Sequence, residues 1–198
     1  MRVKTMTAAA LVGAALVAAG CSSTTTPGSA QPTTSSAALP AGTPNVAHPL
    51  DTTRFQKDPC SLLTPTQLRQ FNMGGATGEV TPNAPTGPAC SWGNTDGPSK
   101  MSISAAILTS GHGLVDVYSQ KDTYRLFRPL PDIEGYPAAI ASSADPGSGY
   151  CSIVVGVTNE LAVSTIVQID NSSPDFSNPC PRNQQVATDV VQTLKGGS

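Results

Sequence analysis

Apolar and polar residues alternate along several stretches of this chain, and the alternation predicts β-strands. In residues 101–107 every second residue is apolar, with serines at two of the positions between, which is typical of a strand with one buried face. Residues 150–157 and 161–169 are rich in β-branched residues, and the polar residues 158–160 between them predict a hairpin. Cys90-Ser91-Trp92 predicts another strand, with the cysteine and the tryptophan on one buried face.

The strongest helix signal in the chain marks the first residues of a helix. Thr64 can cap a helix, Pro65 suits its first position, and Gln67 completes a capping box. We expect this helix to run to about Asn72 and to stop at Gly74-Gly75.

Two further helices are expected, at residues 114–120 and at residues 181–195. The second of them has one apolar stripe that would turn toward the core, formed by Val186, Ala187, Val190, Val191 and Leu194. Residues 128–137 contain three prolines and are expected to be irregular. Residues 138–142 are expected to form a short strand.

The order of these elements predicts the fold class. The strands follow one another as hairpins and do not alternate with helices, so we expect an α+β domain with an antiparallel sheet, helices packed on one face of the sheet, and disulfide bonds. This domain is expected to span residues 54–198. A chain of 198 residues is about long enough for one domain.

The first 20 residues have the three parts of an export signal. Arg2 and Lys4 supply positive charge, and the apolar run of residues 8–19 is shorter than the roughly 20 residues of a membrane-spanning helix. The run ends in Val-Ala-Ala-Gly-Cys, which resembles a lipobox with Ala18 in place of the usual leucine. We therefore expect cleavage of residues 1–20 and lipid attachment to Cys21. An ordinary secretory signal is the alternative.

Residues 21–53 are expected to form a flexible tether between the lipid and the domain. Of the 28 residues from 22 to 49, 23 are Ser, Thr, Pro, Ala or Gly, and none is Asp, Glu, Lys or Arg. Such a segment buries too little apolar surface to offset the entropy that it loses on ordering.

The charge of the chain argues against nucleic-acid binding. Charged residues make up only 12% of the chain, and the formal net charge is −2. Without Arg2 and Lys4 the mature chain keeps nine basic and 13 acidic residues. A basic surface that neutralises phosphates is therefore not expected.

The mature domain keeps an even number of cysteines, which in an exported chain indicates disulfide bonds. They are Cys60, Cys90, Cys151 and Cys180. We favour Cys60–Cys90 and Cys151–Cys180, because each pair joins a cysteine at a helix start to one in a nearby strand. The nested pairing, Cys60–Cys180 with Cys90–Cys151, stays open. A zinc site is the competing interpretation, but the chain has no Cys-x-x-Cys motif. We expect no metal and no cofactor.

Several of these segments together resemble a known family. Residues 58–64, Asp-Pro-Cys-Ser-Leu-Leu-Thr, resemble the opening of an actinobacterial lipoprotein family, domain of unknown function 3558. The further matching positions are Gln67-Leu68, Cys90-Ser91-Trp92, Gly135, Ala138-Ala139, Cys151 and Cys180. The resemblance covers about residues 54–195. It implies a mycobacterial or related envelope lipoprotein, and it brings no catalytic residues with it.

Candidate catalytic and metal-binding residues are few. His112, near Ser110 and Asp116, is the only local candidate for a positioned base, and a solvated loop histidine is the alternative. Asp170, Asn171 and Asp175 resemble part of a calcium loop but lack the spacing of an EF-hand, so a polar turn is the simpler interpretation.

The expected function is therefore that of a non-enzymatic lipoprotein, held by its lipid at the extracytoplasmic face of the cell membrane, whose domain binds an envelope protein or a small ligand. One alternative is an envelope hydrolase that uses His112. Another is a structural or antigenic surface protein, which predicts no concave apolar pocket, whereas a pocket of several hundred Å³ favours ligand binding.

Overall fold

The computed structural model describes residues 42–196, in which seven strands form one antiparallel sheet of spatial order β1-β2-β3-β7-β6-β5-β4. The strands are β1 (Gly78–Thr81), β2 (Ala89–Asn94), β3 (Met101–Leu108), β4 (Leu126–Ile133), β5 (Tyr136–Ser142), β6 (Tyr150–Gly156) and β7 (Ala162–Ile169). The helices are α1 (Thr53–Lys57), α2 (Pro65–Gln70), α3 (Leu114–Ser119) and α4 (Cys180–Gly196), with short 3-10 turns at Pro59–Leu62 and Lys121–Thr123. The predicted α+β class is confirmed.

The sheet consists of two meanders that meet at its centre. Strands β1, β2 and β3 are consecutive neighbours, as are β4, β5, β6 and β7. The two groups are joined where β3 pairs with β7, from Met101 opposite Ile169 to Leu108 opposite Ala162. The connection from β3 to β4 contains α3, and the chain after β7 forms α4. The hairpin expected at residues 158–160 joins β6 to β7.

The main core lies on one face of the sheet, which we call the core face. The apolar stripe of α4 packs there and is fully buried, as predicted. Ile153 and Val155 of β6 belong to the same cluster, because alternate residues of a strand point to one face. Phe55 of α1 and Leu68 of α2 belong to the same cluster.

One buried polar residue links α4 to the sheet. Asn183 has no exposed surface, and its Nδ2 donates to the carbonyl oxygens of Cys151 at 3.0 Å and Thr165 at 2.8 Å. These two bonds satisfy both N–H groups of the buried side-chain amide, whereas its Oδ1 has no partner among the described residues. They hold the first turns of α4 against β6 and β7.

Helix α3 lies on the opposite face. Its Leu114 and Val117 pack with Ala141, Val154 and Ala162, which alternate along their strands with residues of the core face. The expectation of helices on one face therefore holds for α1, α2 and α4 but not for α3. The apolar residues on the second side of β5, β6 and β7 need cover, and the connection from β3 to β4 supplies it.

The expectation that residues 128–137 are irregular is wrong, because they form most of β4 and the start of β5. β4 is an edge strand, where a proline nitrogen need not enter a hydrogen-bond ladder, so Pro129 and Pro131 are tolerated. Glu134 and Gly135 have φ angles of 54° and 86° and form a two-residue turn. Positive φ at both positions is the geometry that matches the twist of a tight hairpin.

Residues upstream of the expected boundary at residue 53 also contact the sheet. Val46 is buried, and its N–H donates to Asn159 Oδ1 at 2.9 Å. The N–H of Leu50 donates to the carbonyl oxygen of Val157 at 2.9 Å. The last part of the expected tether is thus packed against the end of the β6–β7 hairpin, because it carries two large apolar residues that find partners there.

The cysteines pair as favoured, Cys60 with Cys90 and Cys151 with Cys180. The Cα atoms lie 5.0 and 5.2 Å apart, within the usual range for a disulfide. The first bond ties the 3-10 turn before α2 to β2, and the second ties the first residue of α4 to β6. Both bonds therefore fasten helical segments to the core face.

The capping box at the start of α2 forms as predicted. Gln67 N–H donates to Thr64 Oγ1 at 3.3 Å, and Thr64 N–H donates to Gln67 Oε1 at 2.8 Å. The helix ends at Gln70, slightly before the expected Asn72, which has a φ of 57°. The left-handed conformation of this asparagine ends the helix before the glycines are reached.

Candidate functional site

A groove of about 250 Å³ lies on the second face of the sheet, beside α3. Its floor is formed by β3, β7 and β6, and its walls by α3 and by two tyrosines. We call it the α3-side groove; the residues that line it include Ala106, Ser152, Ser164, Val117, Tyr124 and Tyr150.

Small side chains make this part of the sheet concave. Ser164 lies opposite Ala106 on one side and Val154 on the other, in adjacent strands. In the next row Ile166 lies between Ser104 and Ser152. Hydroxymethyl and methyl groups rise less above the sheet than the rings and branched chains around them, so a depression remains beside α3.

Three hydroxyl groups of the groove, those of Ser152, Ser164 and Tyr150, lack partners in the described part of the chain. Ser152 is only 7% exposed, yet its Oγ makes no hydrogen bond with any residue from 42 to 196. The same holds for the hydroxyls of Ser164 and Tyr150. Ser104 differs, because its Oγ lies 2.7 Å from Ser91 Oγ. These hydroxyls line the groove and can both donate and accept, so they are available to bind a ligand.

The tyrosines of the groove are neutral donors. Burial raises the pKa of Tyr150. The pKa of Tyr124 is also raised, mainly by burial and to a smaller extent by the negative charge of Asp116. Both phenols therefore stay protonated at physiological pH. Tyr124 is held by Phe127, which stacks with it at 6.4 Å between ring centroids and meets Tyr118 edge-on at 5.2 Å. The described residues that line the groove include no Asp, Glu, Lys, Arg or His.

A second concavity adjoins the groove on the same face. It has a volume of about 490 Å³, lies over β1, β2 and β3, and shares Ser104 with the α3-side groove. Ser91, Gly93 and Ser102 form its floor, and Glu79 is the one charged residue among the described residues that line it. The described residues that line the two depressions are mostly uncharged.

The structure does not assemble a catalytic group around His112. Its side chain is 74% exposed, and Nδ1 lies 3.5 Å from Asp116 Oδ1. Its backbone N–H donates to Asp116 Oδ2 at 2.8 Å. Ser110 is not brought to the imidazole; its N–H bonds to the carbonyl oxygen of Thr86 at 3.2 Å. Within residues 42–196 His112 has no hydroxyl partner that it would activate as a base.

The residues that resembled a calcium loop do not converge either. Asp170 Oδ1 accepts a bond from the Ser172 N–H at 2.9 Å, which is a local polar turn. Asp175 pairs with Arg182 at 2.7 Å. The described part of the chain contains no group of three His, Cys, Asp or Glu residues that is arranged to hold a metal ion.

The residues of the groove were not identified from the sequence as a site, whereas Trp92 behaves as expected and is a core residue with 2% exposure. The signal that the sequence offered for the groove was the small residues that lie between the apolar positions of β3, β6 and β7. The predicted lipid-attachment residue Cys21 lies outside the described residues. Across residues 42–196 no helix combines the length and the apolar character needed to cross a membrane.

The fold and the groove define a class of protein, namely a disulfide-bonded α+β domain with a seven-stranded antiparallel sheet and an uncharged groove on its second face. Over residues 16–193 the chain matches the family described as "Protein of unknown function (DUF3558)". The chain belongs to this family, which confirms the resemblance seen in its sequence. No curated protein and no solved structure matches the chain.

Proposed function

We propose that this protein is a lipoprotein of the cell envelope, held at the extracytoplasmic face of the cell membrane by lipid on Cys21, and that its domain binds a ligand without catalysing a reaction. The observation that carries the binding function is the α3-side groove. In it Ser152 is 7% exposed and has no hydrogen-bond partner among the described residues, so a hydroxyl on the floor of the groove is available to a ligand.

Two features support the envelope location. The first is the export signal with its lipobox-like end before Cys21. The second is the pair of disulfides, because such bonds persist in oxidising compartments and are rare in the cytosol.

The chemistry of the groove supports binding over catalysis. Nucleophilic catalysis by a serine needs an adjacent base, and the described residues that line the groove contain no histidine, lysine or carboxylate. Its hydroxyls are suited to hold neutral polar groups in place. His112 remains the candidate base of the alternative hydrolase, but it is exposed and lies outside the lining of the groove.

The groove also favours binding over a purely structural or antigenic role. That alternative predicts no concave apolar pocket, whereas α3 and the sheet enclose about 250 Å³ that is bordered in part by Val117, Val154 and Leu108. Ligand pockets typically start at roughly 300 Å³, so the groove is suited to part of a larger molecule.

The anchoring is tested by exchanging Cys21 in the native host. We expect the Cys21→Ala variant to lose the acyl mass of its N-terminal peptide in mass spectrometry and to leave the membrane fraction. The neighbouring Ser22→Ala variant is the matched control and should stay acylated and membrane-bound. An unmodified Cys21 in the wild-type protein would end the anchoring proposal.

The binding function is tested by filling the groove. Wild-type protein, the Ser164→Phe variant and the Ser177→Phe variant are purified from native membranes, and the small molecules that co-purify are compared by mass spectrometry. Ser177 is an exposed serine before α4, outside the lining of the groove. We expect Ser164→Phe to lose a molecule that the wild type and Ser177→Phe retain. Identical sets of molecules, or a His112-dependent turnover of esters, peptides or glycans, would contradict the proposal.

A further inference from the structure

We propose that the α3-side groove holds the alkyl part of an uncharged amphiphile, with the hydroxyls of the groove bound to the neutral group where the alkyl chain meets its head. This inference rests on the proposed binding function and names the ligand class of that same site.

The walls of the groove are suited to an alkyl chain. Val117 of α3 and Val154 of β6 belong to the apolar cluster on the second face, and both line the groove. Leu108 and Ala141 continue this lining at the two sides. An apolar ligand segment that covers these side chains gains about 25 cal/mol for each Å² that it removes from water.

The volume of the groove indicates that it holds a segment of a ligand. The groove has a volume of about 250 Å³ and is partly open to solvent, whereas a closed dry cavity of about 150 Å³ is enough for a benzene molecule. A short length of alkyl chain fits such a space. The second concavity of about 490 Å³ shares Ser104 with the groove, and its floor of Ser91, Gly93 and Ser102 is suited to an uncharged polar head.

The absence of charge among the described lining residues selects against ions. A carboxylate, phosphate or ammonium group in the groove would lose water without gaining an opposite charge, which is costly. The hydroxyls of Ser152, Ser164 and Tyr150 both donate and accept, so they match a hydroxyl, an ester or an acetal oxygen. The chemistry therefore points to a neutral lipid or an alkyl glycoside.

The test uses three probes that share parts of one molecule: octyl glucoside, octanoate and glucose. The protein is the mature chain with Cys21→Ser, which keeps every described residue and needs no detergent. Each probe is added below its micelle concentration, and backbone amide resonances are followed by NMR. We expect saturable shifts at β3, β6 and β7 with octyl glucoside, at least tenfold weaker binding of octanoate, and no saturable shift with glucose.

Three variants assign the binding to the groove. Ser164→Phe should abolish it, whereas Ser177→Phe should leave it unchanged. The milder variant Ser152→Ala, which removes one hydroxyl and adds no bulk, should weaken octyl glucoside binding about three- to tenfold and thus remains informative if Ser164→Phe does not fold.

The outcomes separate this inference from the proposed function. If glucose binds as well as octyl glucoside, the ligand is a sugar and not an alkyl chain. If octanoate binds with the same affinity as octyl glucoside, the ligand need not be uncharged. Absence of groove shifts with all three probes would overturn the alkyl ligand class, while the proposed function would survive if Ser164→Phe still loses a native ligand. If the Ser164→Phe variant keeps both the binding of octyl glucoside and the native ligand, the alkyl ligand class and the proposed function are both overturned.

Discussion

The two faces of the sheet are built from alternate residues of the same strands, and yet they differ in what they carry. On β6, Ile153 has no exposed surface beneath α4, whereas its neighbour Ser152 lines the groove on the other side. On β7, Val163 is fully buried in the main core, and the adjacent Ser164 faces the groove. One face is therefore filled by large apolar side chains, and the other is only partly covered by α3.

The two faces therefore contribute differently to stability and to binding. Both disulfides, α4 and the large apolar residues stabilise the core face. The second face then needs only enough packing to hold α3 in place. The small side chains on this face, between α3 and β2, therefore lower the stability of the domain only slightly. A sheet that is stabilised from one side can leave a depression on its other side for a ligand.

The largest effect is expected from removing the covalent link on the core face. Replacing both Cys151 and Cys180 by Ala should lower the free energy of unfolding by about 3–4 kcal/mol, because the bond closes a loop with a sequence separation of 29. Urea denaturation measures this loss. A change below about 1 kcal/mol would show that the core face does not depend on its disulfide.

The next prediction compares two adjacent residues of β6. Ile153→Ala should cost about 3 kcal/mol, because it leaves a cavity in the main core. Ser152→Ala should change the free energy of unfolding by no more than about 0.5 kcal/mol, because the hydroxyl has no partner to lose among the described residues. Equal losses in chemical denaturation would remove the distinction between the two faces.

A smaller effect is expected for two glycines on opposite faces. A Cβ at Gly78 would lie 2.7 Å from Trp92 Nε1 and 2.9 Å from Cys90 Sγ, so Gly78→Ala should lower the free energy of unfolding by about 1–3 kcal/mol. A Cβ at Gly93 has no atom within 4 Å. Gly93→Ala should therefore be neutral or slightly stabilising, and a thermal melt of the two variants compares them directly.

The smallest effect concerns a carboxylate on α4. Asp189 Oδ2 is buried without a hydrogen-bond partner in the described chain, and burial raises the pKa of this carboxyl above its ordinary value of 3.8. The folded state thus binds the proton more tightly, so the wild type gains stability as the pH falls through the folded pKa. Asp189→Asn should raise Tm slightly at pH 7, and the difference from wild type should shrink near pH 4. An unchanged or lower Tm at pH 7 would contradict this.

Much of the fold could be predicted from local patterns. The capping box of Thr64 and Gln67, the apolar stripe of α4 and the β6–β7 hairpin each depend on neighbouring residues, and all three are present. The β4 strand could not be predicted, because prolines are acceptable there only since β4 lies at the edge of the sheet. Val46 docks because a distant turn offers the side chain of Asn159.

The groove could not be predicted from the sequence for a related reason. A serine between apolar residues predicts only that one face of a strand is less apolar than the other. Whether Ser152 and Ser164 meet solvent, a helix or each other depends on the register of three strands and on where α3 crosses the sheet.

The sequence by itself determined the family, the α+β class, the start of α2 and the apolar stripe of α4, because these depend on periodicity and on motifs of a few residues. Only the tertiary structure decided which cysteines lie close enough to pair, which strand lies at the edge and where α3 packs. These features arise when segments far apart in the chain meet. The groove is such a feature, since its floor and walls come from strands and a helix that touch only in the folded domain.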